Sequence, residues 1–192
     1  MAVVVSASRL VATLWLLCAF AGLARGAGPY NTTADGADPR LRLRGFDPVT
    51  YFTAGKPAAG DATFRTDFDG VTYRFVSEEN RFLFMKNPLK YVPLFGGFCA
   101  NSMAYAIPWP GEPDTWKIVE GRLYLFAGEA ARRHFVMDEE TNIRLAQRYW
   151  REEVEGSIAL VQRYKRLGVR VPHYKSDKEL EAEWRVRNST KQ

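Results

Sequence analysis

The sequence predicts an α+β fold: a small core of two β-hairpins with short helices, followed by a helical C-terminal extension. Three observations predict it. Two runs of apolar-rich strand sequence are each divided by a tight turn, Asp69-Gly70 and Glu120-Gly121. Helix-start signals stand around them, at Asp47-Pro48, Ser77-Glu78-Glu79 and Asp138, where a capping side chain, a proline or first-turn acids satisfy or complement the unpaired N–H groups. Finally, Ile158 to Leu167 reads as an amphipathic helical stretch.

Taken in order, residues 27–44 are polar and rich in Gly, Asp and Arg, and read as a linker or loosely held arm. Asp47 at the N-cap and Pro48 at the first helical position start a helix of one or two turns through Phe52, and Gly55-Lys56-Pro57 stops it. The first hairpin pairs Thr63 to Phe68 with Val71 to Val76. Asp69-Gly70 favours a two-residue type I′ turn, so Phe68 should face Val71, Thr66 should face Tyr73 and Phe64 should face Phe75. Phe64, Phe68, Val71, Tyr73 and Phe75 then share one apolar face, and Arg65 and Arg74 meet on the other. Like charges directly opposite are destabilising unless an acid lies near. Ser77 caps the next helix, whose expected inward face is Phe82 and Met85, with Phe84 near its edge. Asn87-Pro88 ends it and opens a short turn through Tyr91.

Gly96-Gly97 lets the chain turn sharply or approach another element closely, and Cys99 follows at once. Residues 101–113 hold three prolines and a glycine and read as a loop, with Tyr105, Ile107 and Trp109 available either to cover a pocket or to pack down. In the second hairpin, Trp116 to Val119 and Arg122 to Phe126, the side chains of Trp116, Ile118, Leu123 and Leu125 share a face. Glu129 to His134 reads as a short helix. A longer one capped by Asp138 carries Ile143, Leu145, Ala146, Tyr149 and Trp150, and Gly156-Ser157 kinks or breaks it. A charged tail helix runs from Ser176 through Arg187.

Composition bounds the function. The 192 residues are 46% hydrophobic and 26% charged, enough for a real core. Net charge is +5, and residues 1–26 hold Arg9 and Arg25 with no acid, which leaves +3 for the remainder. That charge is spread through mixed-sign segments, whereas a nucleic-acid binder concentrates it in a stripe, so no nucleic-acid partner is expected. Residues 1–26 read as a signal peptide: Arg9 forms the positive region, Leu10 to Leu23 the apolar one, and small residues follow. The apolar run is short for a membrane span, so no stable span is expected after cleavage. The sequons at Asn31 and Asn188 fit a glycoprotein that is secreted or held in the secretory lumen.

Cys18 lies in the signal segment, which leaves Cys99 as the one cysteine of the mature chain. An odd cysteine on the secretory route is buried, paired between chains, or reactive. Three roles stay open for it. It is a buried small hydrophobe, a thiol activated by a nearby cation or base, or a metal ligand that needs companions such as His134, His173 or carboxylates. His173, after Pro172, is expected to be exposed. No carboxylate pair has glycosidase spacing, and neither a phosphate loop, a nucleophile elbow nor a zinc-protease motif occurs.

Residues 45–150 resemble the YHS-domain proteins, specifically their small exported branch. The resemblance rests on Gly45-Phe46-Asp47-Pro48-Val49-Thr50-Tyr51-Phe52, Gly55-Lys56-Pro57, Tyr73-Arg74-Phe75 and Ser77-Glu78-Glu79-Asn80-Arg81. Gly96-Gly97-Phe98-Cys99-Ala100 and Asp114-Thr115-Trp116-Lys117-Ile118-Val119 complete it. It implies a small α+β fold and a link to metal handling, which wider relatives achieve through paired cysteines; this chain has no second cysteine to offer. Some members of the exported branch are described as selenoproteins, and the resemblance places the selenocysteine at the position of Cys99. The leading functional reading is a secreted binding module for a small ligand, metal-associated through Cys99 and His134, with a transition metal ion as the candidate cofactor. A thiol-dependent redox enzyme using Cys99 is the first alternative. The second is a structural or interaction protein that engages a protein partner through its C-terminal helices.

Overall fold

The computed structural model describes residues 30–36 and 38–189. The expected signal peptide and Cys18 lie outside the described residues. The fold is α+β, with two small sheets and a helical C-terminal part.

The first sheet has four strands in the order β1-β2-β4-β3. Strands β3 (Asp61–Phe68) and β4 (Val71–Phe75) form the expected hairpin. Asp69 and Gly70 both have positive φ, 52° and 71°, as a type I′ turn demands. Phe68 pairs with Val71 and Thr66 with Tyr73 as the turn predicts, but Phe75 pairs with Asp61 rather than Phe64. A bulge between Asp61 and Arg65 shifts the register, which re-aims side chains without ending the pairing. Gly60 sits where a Cβ would come within 2.5 Å of the Arg74 backbone, so only glycine lets the strand start there.

The arm at 27–44 is corrected by the structure: its described part is not a linker. It folds into β1 (Thr32–Asp35) and β2 (Asp38–Arg42). The two pair antiparallel, and β2 adds to β4 in parallel through Leu41 and Thr72. Neither strand carries an alternating apolar pattern, and the parallel contact is remote in sequence, so no local rule reports them. Their arrival resolves the arginine conflict. Buried Asp38 accepts from Arg65 at 2.8 Å and from Arg74 Nε at 2.9 Å, and Asp35 takes a further bond from Arg74 at 2.5 Å.

Asp47 is not the N-cap of α1 (Thr50–Thr53), a position that Val49 holds without a side-chain capping bond; its carboxylate acts more widely. Its Oδ1 accepts from Val49 N at 2.7 Å, while Oδ2 accepts from Val76 N at 2.9 Å and from Asn80 Nδ2 at 2.7 Å. One buried carboxylate thus joins the first helix, the end of β4 and the start of α2 (Glu78–Lys86). Ser77 caps α2 as expected, accepting from Asn80 N. The face that α2 buries differs from the expectation. Phe84 is fully buried, while Phe82 is 62% and Met85 48% exposed. The ring of Phe84 sits 4.7 Å from Tyr73 and 5.2 Å from Phe75, centroid to centroid, so the helix touches the sheet along a single narrow line. Helix α3 (Pro88–Tyr91) follows.

The second sheet pairs β5 (Glu112–Val119) with β6 (Arg122–Phe126). Leu123 and Leu125 pack towards Leu43 and Tyr51, with Trp116 and Ile118 beside them. Tyr124 and Phe126 point the other way, into a second cluster with Phe95, Phe98 and Phe135. The β6 strand is therefore covered on both faces. Helices α5 (Glu129–Val136) and α6 (Glu139–Tyr149) follow. Asp138 occupies the N-cap position of α6, but its side chain makes no capping bond. A π-type turn at Trp150–Val154 and Gly156, with φ of 78°, end the helix. The extension then forms α7 (Ala159–Gly168) and α8 (Asp177–Ser189).

Candidate functional site

The diglycine before Cys99 is a clamp point. Phe95, Gly96 and Gly97 all have positive φ, so the backbone reverses and turns its carbonyls towards the arm. Gly96 O accepts from Asn31 N at 2.9 Å and from the buried guanidinium of Arg42. Asn31 Nδ2 donates to Gly97 O at 3.0 Å and to Gly111 O at 2.9 Å. Asn31 is therefore a structural bridge, its amide nitrogen engaged by two carbonyls. Asn188, the other predicted glycosylation position, is exposed near the end of α8, where its Nδ2 donates to Trp184 O. Arg42 stacks over Tyr30 with 4.9 Å to the ring centroid, and burial lowers its pKa, opposed by neighbouring Tyr73 and Tyr30.

The chain then enters the core. Cys99 N donates to Trp109 O at 2.8 Å, and Cys99 bridges Leu125 as a short parallel extension of the second sheet. Its side chain is fully buried among Phe95, Phe98, Met103 and Phe126. What such a position does chemically is pack. Gly111 makes room for this approach, since a Cβ there would lie 2.7 Å from Leu125 Cβ. His134 is also buried, in the last turn of α5; its Nε2 lies 3.2 Å from Glu181 on α8, and its Nδ1 has no partner. Among the described residues, no three His, Cys, Asp or Glu side chains group in a way that could hold a metal ion. The donor set at Cys99 and His134 does not fit one.

The two histidines do come together, though not with the cysteine. Both line a cavity of about 150 Å³, with Tyr105 and Leu145 among its walls. His173 is not exposed as expected. Its ring stacks between Tyr105, at 5.6 Å, and Tyr149, at 5.8 Å, and Nε2 lies 2.9 Å from Ala104 O. A carbonyl only accepts, so Nε2 carries the proton.

Directly after Cys99, α4 (Ala100–Met103) and the loop to Trp109 form one wall of a larger cleft, about 410 Å³ in volume. The expected loop at 101–113 thus begins with a helical turn. Tyr105, Ile107 and Trp109 line the cleft. The opposite wall is supplied by the extension, with Arg170, Tyr174 and Lys175. At the floor sits Asn101. It is only 5% exposed, it lines the cleft, and its side chain makes no hydrogen bond to any described residue. Its amide is thus a polar group that the cleft offers to whatever enters. Burial pushes the Tyr105 phenol up to about 12, with Glu183, Tyr174 and Asp177 adding to the shift. It is a neutral hydroxyl at physiological pH, able to donate. Sequence reasoning missed Asn101 because one asparagine in a helical turn carries no pattern; only the packing of the extension over it creates the cleft.

No protein-family model matches the chain, and neither the curated proteins nor the solved structures contain a significant match.

Proposed function

We propose that this protein is a small-ligand binding module whose site is the cleft between the segment after Cys99 and the C-terminal extension. The observation that carries this reading is Asn101, a largely buried residue that lines an aromatic-walled cleft and whose side-chain amide makes no hydrogen bond to a described residue. An amide so placed is one of the few polar groups that can orient a ligand entering such a cleft. Tyr105, Trp109 and Tyr174 offer flat apolar surface, and Arg170 offers positive charge, while Lys175 is bonded to Glu183 and Asp177 also lines the cleft. The best-fitting ligand is a small planar or apolar molecule bearing one anionic group, since such sites combine apolar walls with a few placed polar groups. The YHS resemblance over residues 45–150 and a place on the secretory route belong to this proposal. Cys99 enters it as the packed base of the cleft wall rather than as a ligand.

The test is thermal shift and Trp109 fluorescence with benzoate, indole acetate and phenyl phosphate. At least one of the three is expected to stabilise the protein and quench the tryptophan, and Asn101→Leu is expected to abolish both effects. Absence of any response in the parent protein, or an undiminished response in Asn101→Leu, overturns the reading.

A further inference from the structure

Helix α7 is built inside out. Its polar residues face the protein: Gln162 and Arg166 are buried, and Glu153 of the preceding turn receives bonds from Gln162 at 3.1 Å and from Lys165 at 2.7 Å, and another from Arg166. Gln162 Nε2 also reaches Ala106 O at 3.2 Å. At 100° per residue, Leu160, Val161, Tyr164 and Leu167 fall within about one third of the helix circumference, and that third faces outward. Each of the four is more than half exposed. Ile158 and Val169 continue the exposed apolar strip at either end. An amphipathic helix normally buries its apolar stripe and exposes its charges. Here the buried polar network fixes the reverse orientation, so the outward stripe is a feature of the docked state and not an unpacked helix.

The charges around the stripe say what covers it. From Gly156 to Ser176 the chain has five Lys or Arg and no acid; Lys165 and Arg166 pair with Glu153 and Lys175 with Glu183, while Arg163 and Arg170 lie over Trp109 and Tyr174. Arg163 and Lys165 flank the stripe on opposite sides. Arg163 lies over Trp109, 5.6 Å from the ring centroid, and Trp109 is itself 52% exposed. An apolar strip with Tyr164 at its centre, Arg163 and Trp109 along one margin and Lys165, itself bonded to Glu153, on the other has the make-up of a helix that lies in the headgroup region of a bilayer. A second copy of the chain is a poor occupant, because a two-fold contact would bring the same cations against each other. Among the described residues no helix is long and apolar enough to cross a membrane, so the contact is one of lying on the surface.

We infer that the outward apolar face of α7 docks onto the surface of an anionic lipid bilayer. This goes beyond the ligand cleft: Leu167 and Trp109 border both, but Leu160, Val161 and Tyr164 do not line the cleft. The experiment is co-sedimentation of the full chain with phosphatidylcholine vesicles, with and without phosphatidylserine, alongside Leu160→Glu and Tyr164→Glu. Both positions are solvent-exposed, so circular dichroism and melting temperature are expected to match the parent. The parent is expected to bind phosphatidylserine vesicles, less so phosphatidylcholine alone, and to be released by salt. Each variant is expected to bind at least about tenfold more weakly. Absence of vesicle binding, or binding equal in parent and variants, overturns the inference. So does a concentration-dependent dimer, lost in Leu160→Glu, that forms without vesicle binding; that result gives the face to a second copy.

Discussion

The Nε2 of His173 lies 2.9 Å from the carbonyl oxygen of Ala104, and that bond fastens the C-terminal extension to the segment that follows Cys99. The histidine ring fills the space between Tyr105 and Tyr149 at the same time. The cleft wall at Tyr174 and Lys175 is one and two residues further on, so its position depends on this fastening. His173→Ala is expected to cost about 2–3 kcal/mol, from lost stacking and an unpaired carbonyl. His173→Phe keeps the stack and should cost about 1–2 kcal/mol. Urea denaturation measures both, and hydrogen exchange in α8 should quicken more in the alanine variant.

Asp38 should matter more than its place in a polar arm suggests. It is buried and holds Arg65 and Arg74 apart from direct repulsion. Asp38→Ala leaves two facing guanidiniums without their shared partner and is expected to cost about 2–4 kcal/mol. The additional variant Arg65→Gln should recover part of that loss, which a double-mutant cycle in denaturant reads directly.

Phe84 and Phe82 invert what helix periodicity suggests. Phe84→Ala removes a fully buried ring touching Tyr73 and Phe75, for a cost of about 3–5 kcal/mol. Phe82→Ala at a 62% exposed position should change stability by less than about 0.5 kcal/mol. Equal losses in the two variants would contradict the packing described here.

Asn101→Leu should leave the stability of the ligand-free protein within about 1 kcal/mol, because the amide makes no hydrogen bond to a described residue and an apolar side chain of similar size replaces it. The same variant should lose the ligand-induced thermal shift. Unchanged stability with loss of binding marks a residue kept for function; a large loss of stability would mean that the amide is paired within the folded protein.

Acid should release α7. Burial alone would raise the Glu153 pKa, but bonds from Lys165 and Gln162 and the charges of Arg166 and Lys165 outweigh it and leave it lowered from 4.5. A carboxylate whose folded pKa is depressed contributes stability above its unfolded value and loses it as pH falls through the folded one. The helix should therefore stay docked at neutral pH and loosen progressively below about pH 4.5. Glu153→Gln should mimic this at neutral pH, costing about 1–2 kcal/mol and flattening the acid limb of the stability profile.

The sequence by itself determined the elements whose causes are local. Asp69-Gly70 and Glu120-Gly121 set both hairpins, since tight turns need positive φ at both central positions. Ser77 set a helix start and Gly156 an end. Tertiary structure decided everything that depends on two remote segments meeting. It recruited the 32–42 arm as strands β1 and β2, because β2 joins the sheet through β4, some thirty residues away, and β1 pairs with β2. It chose Phe84 over Phe82, because a sheet surface and not the helix decides which stripe is buried. It placed His173 between two tyrosines and Asn101 at the floor of a cleft, because both sites exist only once the extension packs over the core. It also turned α7 polar side inward. Hydrophobic periodicity reveals that a helix has two faces, and only the charges of Glu153, Lys165 and Arg166 meeting across a gap decide which of them points in.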